Sequence, residues 1–137
     1  MKIHKASTLE QMEDIAGELA NMLSPGDVVG ISGTLGAGKT TLVQFICRRL
    51  GILEYVNSPT FTLVNEYESG MIKVNHIDFY RVNHIDELIE IGIEQYFNNR
   101  DITFIEWPEL FMEILPEKHM MIRIGVSGDV REVTIDA

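Results

Sequence analysis

Gly33-Thr34-Leu35-Gly36-Ala37-Gly38-Lys39-Thr40-Thr41 matches the phosphate-binding template G-x-x-x-x-G-K-[ST] at every fixed position. The residue types explain the chemistry. Glycine lets the backbone turn tightly and come close to a ligand, with no Cβ in the way. The backbone N–H groups of such a loop form a concave nest for phosphate oxygens, and a following helix adds unpaired N–H groups and the positive end of its dipole. Lys39 is expected to reach the β- and γ-phosphates as a point charge, and the Thr40 hydroxyl to sit on Mg²⁺. Gly33 and the run from Leu35 to Thr41 are the expected phosphate contacts.

A phosphate loop that works with Mg²⁺ needs a carboxylate at the end of a neighbouring hydrophobic strand. Ile102-Thr103-Phe104-Ile105-Glu106 is the better match, delivering its acid at the C-terminal edge where α/β sheets bind ligands. Val74-Asn75-His76-Ile77-Asp78 is the second and the more polar. Glu106 is therefore assigned to the metal shell, and Asp78 to orienting or deprotonating an attacking water. His76 alternates with Asp78 on one strand face, which predicts a hydrogen-bonded structural histidine close to the site. Arg81 either stabilises charge on a transferring phosphoryl group or bridges to an acid. Ser58 and Thr60 stand where nucleotide switches place hydroxyls, or in a plain turn. The single tryptophan, Trp107, adjoins Glu106 and is expected to report nucleotide binding by its fluorescence.

These residues need elements to hold them. Residues 2–6 predict a strand. Ser7 with Glu10, or Thr8 with Gln11, reads as a capping box for a helix along Leu9, Met12, Ile15, Ala16, Leu19, Met22 and Leu23. The apolar run Val28-Val29-Gly30-Ile31 leads into the glycine loop. Leu42, Val43, Ile46, Cys47 and Leu50 continue from it at helical spacing, with Gly51 as the C-terminal cap. Residues 62–66 and 71–77 predict a hairpin, residues 84–97 one helix with Gly92 as a weak point, and residues 102–105 a buried strand. Runs at 119–126 and 130–135 finish the sheet around Ser127-Gly128-Asp129. The whole predicts one domain over residues 1–137, of α/β class, with a mixed, partly parallel sheet flanked by helices.

Composition sets limits on what such a site serves. The chain has 137 residues, 45% of them hydrophobic, with a formal net charge of −10. That balance argues against a free-standing nucleic-acid binder, whose affinity comes largely from Lys and Arg on phosphates, so no direct DNA binding is expected. Any RNA in this protein's work is expected to be held by another chain. The N-terminus, Met1-Lys2-Ile3-His4-Lys5, lacks the apolar core of a signal peptide, and no apolar run reaches spanning length. With Cys47 the lone cysteine, a cytoplasmic protein without a membrane or disulfide role is expected.

Gly33 to Thr41, Ser58-Pro59-Thr60-Phe61, His76-x-Asp78-x-Tyr80-Arg81 and Glu106-Trp107-Pro108 occur in an order that resembles the TsaE (YjeE) family over nearly the whole chain. The resemblance implies a P-loop NTPase-like fold. It also implies an ATPase supporting threonylcarbamoyladenosine modification of tRNA, with TsaD and TsaB as partners and tRNA reached only through them. It further implies ATP as substrate, Lys39 as the phosphate-binding lysine, Thr40 and Glu106 as Mg²⁺ ligands, and Asp78 as an acid needed for hydrolysis. Thr8 and the turn at Val130-Arg131 resemble segments that flank the nucleotide base. One position departs: the family commonly has Asp after the first loop glycine, where this chain has Thr34.

Two other classes of function share the loop. A small-molecule kinase would close an arginine-bearing lid over the phosphates, and beyond Arg48 and Arg49 the arginines here are scattered. A nucleotide-dependent assembly factor would bind ATP and hydrolyse little of it. A GTPase is disfavoured, because Asn98-Asn99-Arg100-Asp101 lacks the lysine of a guanine-reading N-K-x-D.

Overall fold

Apolar stretches buried on both faces belong in the middle of a sheet, and those that alternate belong at its margins. The computed structural model, which describes residues 1–54, 56, 63–70 and 72–137, arranges the chain in this way. Its strands are β1 (Lys2–Ala6), β2 (Val28–Gly33), β3 (Val64–Ser69), β4 (Ile72–Asp78), β5 (Ile102–Glu106), β6 (Met120–Ser127) and β7 (Val130–Asp136). They form one seven-stranded sheet in the order β1-β7-β6-β2-β5-β4-β3. The inner pairs β6·β2, β2·β5 and β5·β4 are parallel, whereas β1·β7, β7·β6 and β4·β3 are antiparallel. Helices α1 (Leu9–Met22), α2 (Lys39–Arg49) and α3 (Ile85–Glu90) flank the sheet.

Period-2 alternation sends successive residues of the central strands to opposite layers. Ile102 and Phe104 of β5 and Val74 of β4 join Ile15 and Leu19 of α1 and Leu42 and Ile46 of α2 in one core. Ile105 and Ile77 join Phe79, Leu88, Ile93 and Leu115 in a second core on the other face. His76, Asp78 and Glu106 therefore fall on the α2 face, and Asn75 and Thr103 on the α3 face. All five residues of β5 are buried, as a strand covered on both sides requires.

The ends of the elements follow local chemistry. Thr8 caps α1, its hydroxyl accepting from the Gln11 N–H at 3.1 Å, while the Gln11 side chain accepts from the Ser7 N–H rather than from Thr8 itself. After α2 the Gly51 N–H donates to Arg48 O and the Ile52 N–H to Cys47 O, the paired bonds of a Schellman cap. The predicted hairpin is present, but β3 runs on to Ser69, which pairs with Ile72. The expected helix over 84–97 is not continuous. His84 and Glu87 close a capping box, α3 stops at Glu90, and a 3-10 turn at Ile93–Tyr96 follows. Gly92 sits between them at φ 69°, a conformation that ends an α-helix and that glycine adopts without strain.

Candidate functional site

The loop between β2 and α2 has the backbone its glycines permit. Gly36 and Gly38 have φ of 79° and 106°, in the left-handed region where a side chain would be strained. Gly33 is required for a different reason: a Cβ there would lie 2.9 Å from Ile124 O of β6. Two cations hold the carbonyl side of the loop. Lys39 Nζ donates to Gly33 O at 2.7 Å and to Thr34 O at 3.0 Å. Arg131, from β7, donates through Nε to Ala37 O at 2.9 Å and through a terminal nitrogen to Gly36 O at 3.5 Å. The Ala37 N–H closes the turn on Thr34 O at 3.0 Å. The helix that starts at Lys39 adds unpaired N–H groups at the end of the loop.

Strand register brings the acids to this loop. Asp78 and Glu106 are Cα partners at the C-terminal ends of β4 and β5, and Glu106 is also the partner of Ile31 in β2. Thr40 Oγ1 donates to Glu106, 2.9 Å from Oε2 and 3.1 Å from Oε1. Glu106 Oε2 also lies 2.5 Å from His76 Nε2. Asp78 Oδ1 accepts from the Tyr80 N–H at 2.9 Å, which fixes its carboxylate across the turn that ends β4. Thr40, Glu106, Asp78 and Lys39 line one cleft of about 470 Å³, together with Leu35, Gly36, Gly38, Thr41, Tyr80, Arg81 and Trp107.

Trp107 is what closes the lysine side of this cleft. Among the described residues it is the one non-glycine with positive φ, at 60°. That conformation costs about 1–2 kcal/mol in a residue with a Cβ, and held structure must offset it. Its N–H donates to Ile31 O, and its ring centroid lies 4.3 Å from Lys39 Nζ and 4.9 Å from the Tyr80 ring. Lys39 is 5% exposed. Burial lowers its pKa from the ordinary lysine value, while the charges of Glu106, Glu109 and Asp78 pull it back up. A desolvated ammonium on loop carbonyls gains from an anionic ligand that supplies charged partners.

A second cleft, of about 280 Å³, lies on the other flank of the loop, with Thr8, Leu9, Met12, Asp129 and Arg131 facing Gly36, Ala37, Gly38 and Thr41. Thr8 and Arg131 thus meet there, on either side of a concavity that opens beside the loop. Val130 lines neither of these two clefts, although both its neighbours line the second. Ser58 and Thr60 lie outside the described residues. Asn98 and Asp101 bond to one another ahead of β5, at the opposite end of that strand from Glu106, which gives them a structural role and no place at the loop. Spacing alone could not reveal the contact of His76 with Glu106, the backbone of Trp107, or the hold of Arg131 on the loop. The alternation His76-x-Asp78 was the available signal for the first of these.

A model of the family described as "Threonylcarbamoyl adenosine biosynthesis protein TsaE" matches residues 6–133. Among curated relatives, a "tRNA threonylcarbamoyladenosine biosynthesis protein TsaE" of Bacillus subtilis is 40% identical over 129 residues, covering 93% of this chain and 80% of the relative. A protein of the same name from Aquifex aeolicus is 40% identical over 137 residues, covering 90% of this chain and 98% of its own length. The crystal structure of Bacillus subtilis YdiB superposes with a TM-score of 0.80 at 33% identity, covering 98% of this chain and 83% of that one. The fold is thus P-loop NTPase-like, with the mixed sheet and flanking helices described above. No helix among the described residues is long and apolar enough to cross a membrane.

Proposed function

Because this chain belongs to the TsaE family and so to the biosynthesis of threonylcarbamoyladenosine in tRNA, we propose that it is a Mg²⁺-dependent ATPase supporting that modification. The observation that carries this reading is the convergence of Lys39, Thr40, Asp78 and Glu106 on one cleft beside the glycine loop. Each supplies a different requirement of phosphoryl transfer to water.

The donor set suits magnesium. Thr40 and Glu106 offer a hydroxyl and a carboxylate already within 3.1 Å of each other, and Mg²⁺ takes few oxygens from protein and the rest from phosphate and water. Thr40 and Glu106 would hold the ion, which would supply positive charge to offset that of the phosphates as the bond to the leaving oxygen breaks. Lys39 exchanges its carbonyl partners for phosphate oxygens, and the loop N–H groups take the remaining oxygens. Asp78 orients the attacking water and accepts its proton. The new P–O bond forms as the bond to the leaving β-phosphate oxygen breaks, giving ADP and phosphate. The cleft flanked by Thr8 and Arg131 is the place for the base.

The acidic chain suits a protein that meets tRNA only through partners, and TsaD and TsaB are the partners we propose to test. A place in the cytoplasm goes with that role. The test is phosphate release from Mg²⁺-ATP by the protein alone, then with TsaD and TsaB added. Turnover in either condition is expected, faster with partners. Tight ATP binding with no turnover in both would make the protein a nucleotide-dependent assembly factor, and turnover that requires an added hydroxyl compound would make it a kinase.

A further inference from the structure

His76 is 0% exposed, yet its ring makes one polar contact among the described residues. Nε2 lies 2.5 Å from Glu106 Oε2, while Nδ1 has no hydrogen-bond partner among those residues. On its face of the sheet, Val74 and the in-register Phe104 are fully buried and apolar, while Asp78 and the in-register Asn65 of β3 are polar. Removing an imidazole from water with one nitrogen unpartnered is unfavourable, and an apolar side chain would fill the same space without that penalty. Stability therefore does not account for a histidine here. The one contact does.

A carboxylate only accepts hydrogen bonds, so the contact assigns His76 the tautomer that donates from Nε2. Glu106 Oε2 is then held from one side by His76 and from the other by Thr40, whose hydroxyl also reaches Oε1. Two fixed donors on different elements, β4 and α2, leave the carboxylate little freedom to rotate. We propose that His76 is a positioning residue for the metal site: it holds the Glu106 carboxylate against Thr40 so that both oxygens are set for a divalent cation before nucleotide arrives. The inference rests on the Mg²⁺-ATP reading above. It extends that reading from the groups that would touch the ion to the buried ring that aims one of them. Partners of metal ligands that lie one step further out are generally worth 10–100-fold in metal affinity.

The test compares His76→Leu, His76→Gln and His76→Asn. A Gln amide nitrogen reaches about as far as Nε2, and an Asn amide stops short. Three quantities are read for each: the Mg²⁺ concentration giving half-maximal ATP binding by Trp107 fluorescence, the ATP affinity in EDTA, and the melting temperature. His76→Leu is expected to raise the Mg²⁺ midpoint about tenfold or more, with ATP affinity in EDTA unchanged and Tm equal or higher. Gln should restore most of the midpoint and Asn should not. If the Leu variant does not fold, the contrast between Gln and Asn decides the matter alone. Equal Mg²⁺ midpoints across the series overturn the proposal, as does a midpoint that moves only together with a fall in Tm. Unaltered protein whose ATP binding ignores Mg²⁺ would instead overturn the metal reading on which the proposal stands.

Discussion

Two groups of polar side chains are buried along β4 and β5, at opposite ends and on opposite faces, and they differ in what they leave unsatisfied. At the start of β5, Asp101 accepts from Asn75 Nδ2 and Asn98 Nδ2, both at 3.0 Å, and Asn75 also donates to Thr103 Oγ1. The Thr103 hydroxyl donates a hydrogen bond to Tyr96 O, and Asn98 Oδ1 accepts from the Arg100 and Asp101 N–H groups. Asn75 Oδ1 is the buried atom of this group that lacks a hydrogen bond among the described residues. At the far end, Lys39 is desolvated on backbone carbonyls and lines an open cleft with Glu106 and Asp78, while His76 lies buried behind Glu106 with Nδ1 unpartnered among the described residues. The first group is nearly closed on itself and joins the start of β5 to β4 and the turn before it. The second sets a desolvated cation and two carboxylates along a cleft, the arrangement that suits a charged ligand with its metal ion. Polar burial alone thus does not mark a site; polar burial facing a cleft with unmet capacity does.

Substitutions should separate the two groups. Lys39→Ala removes the charge that meets the phosphates and is expected to weaken ATP binding by about 100-fold or more, read by titration of Trp107 fluorescence. Its effect on folding should stay within about 1 kcal/mol, because two lost hydrogen bonds are offset by relief of a desolvated charge. An unchanged nucleotide titration would remove Lys39 from its role. Asp101→Ala is expected to do the reverse. It leaves Asn98 and Asn75 amides short of an acceptor and should destabilise the fold by about 2 kcal/mol in urea, with ATP affinity retained.

The same carboxylate makes a pH prediction. Burial pushes the Asp101 pKa up, but the Asn98 and Asn75 hydrogen bonds and the charges of Lys73 and Arg100 outweigh that and hold it below the ordinary carboxylate value. A folded pKa below the unfolded one means the native state binds the proton less readily. Its contribution is therefore full above about pH 4, the ordinary aspartate range, and is lost as pH falls through the lowered value. Urea titrations at descending pH should show this acid loss in the parent, and Asp101→Asn should flatten it. Equal slopes in both would refute it. Arg131→Ala has the smallest expected effect, about fivefold on ATP affinity, corresponding to about 1 kcal/mol for hydrogen bonds that hold loop carbonyls. A calorimetric titration that gives the parent value would mean the loop keeps its shape without Arg131.

The parts of this site that could be read from the chain were those set by local spacing. The glycines, Lys39 and Thr40 lie within nine consecutive residues, Gly33 to Thr41, and their chemistry needs no tertiary information. Glu106 and Asp78 were legible because an apolar strand ending in an acid points to the C-terminal edge of a sheet. Their mutual register was not legible, since it depends on which strands become neighbours. Thr8 was legible as the cap of α1 but not as a wall of the second cleft, and Arg131 carries no periodic signal, so a family resemblance alone linked the two to the loop. Element boundaries failed where backbone conformation overrode hydrophobic spacing. The apolar positions from Ile85 to Phe97 suit one helix, but Gly92 in the left-handed region ends it and turns the chain toward β5. The left-handed backbone of Trp107 had no sequence signal, because a tryptophan is not where such a conformation is expected.

On the proposed function, the cleft beside Gly33 to Thr41 binds ATP with Mg²⁺ held through Thr40 and Glu106. Calorimetric titration of the protein with ATP, in excess Mg²⁺ and in EDTA, tests it most directly when repeated on Glu106→Ala. One ATP per chain is expected, bound about tenfold or more tightly with Mg²⁺ by the parent, with a variant that loses that difference while still binding in EDTA. A parent that binds no ATP, or a Glu106→Ala variant that keeps the full Mg²⁺ effect, would contradict it.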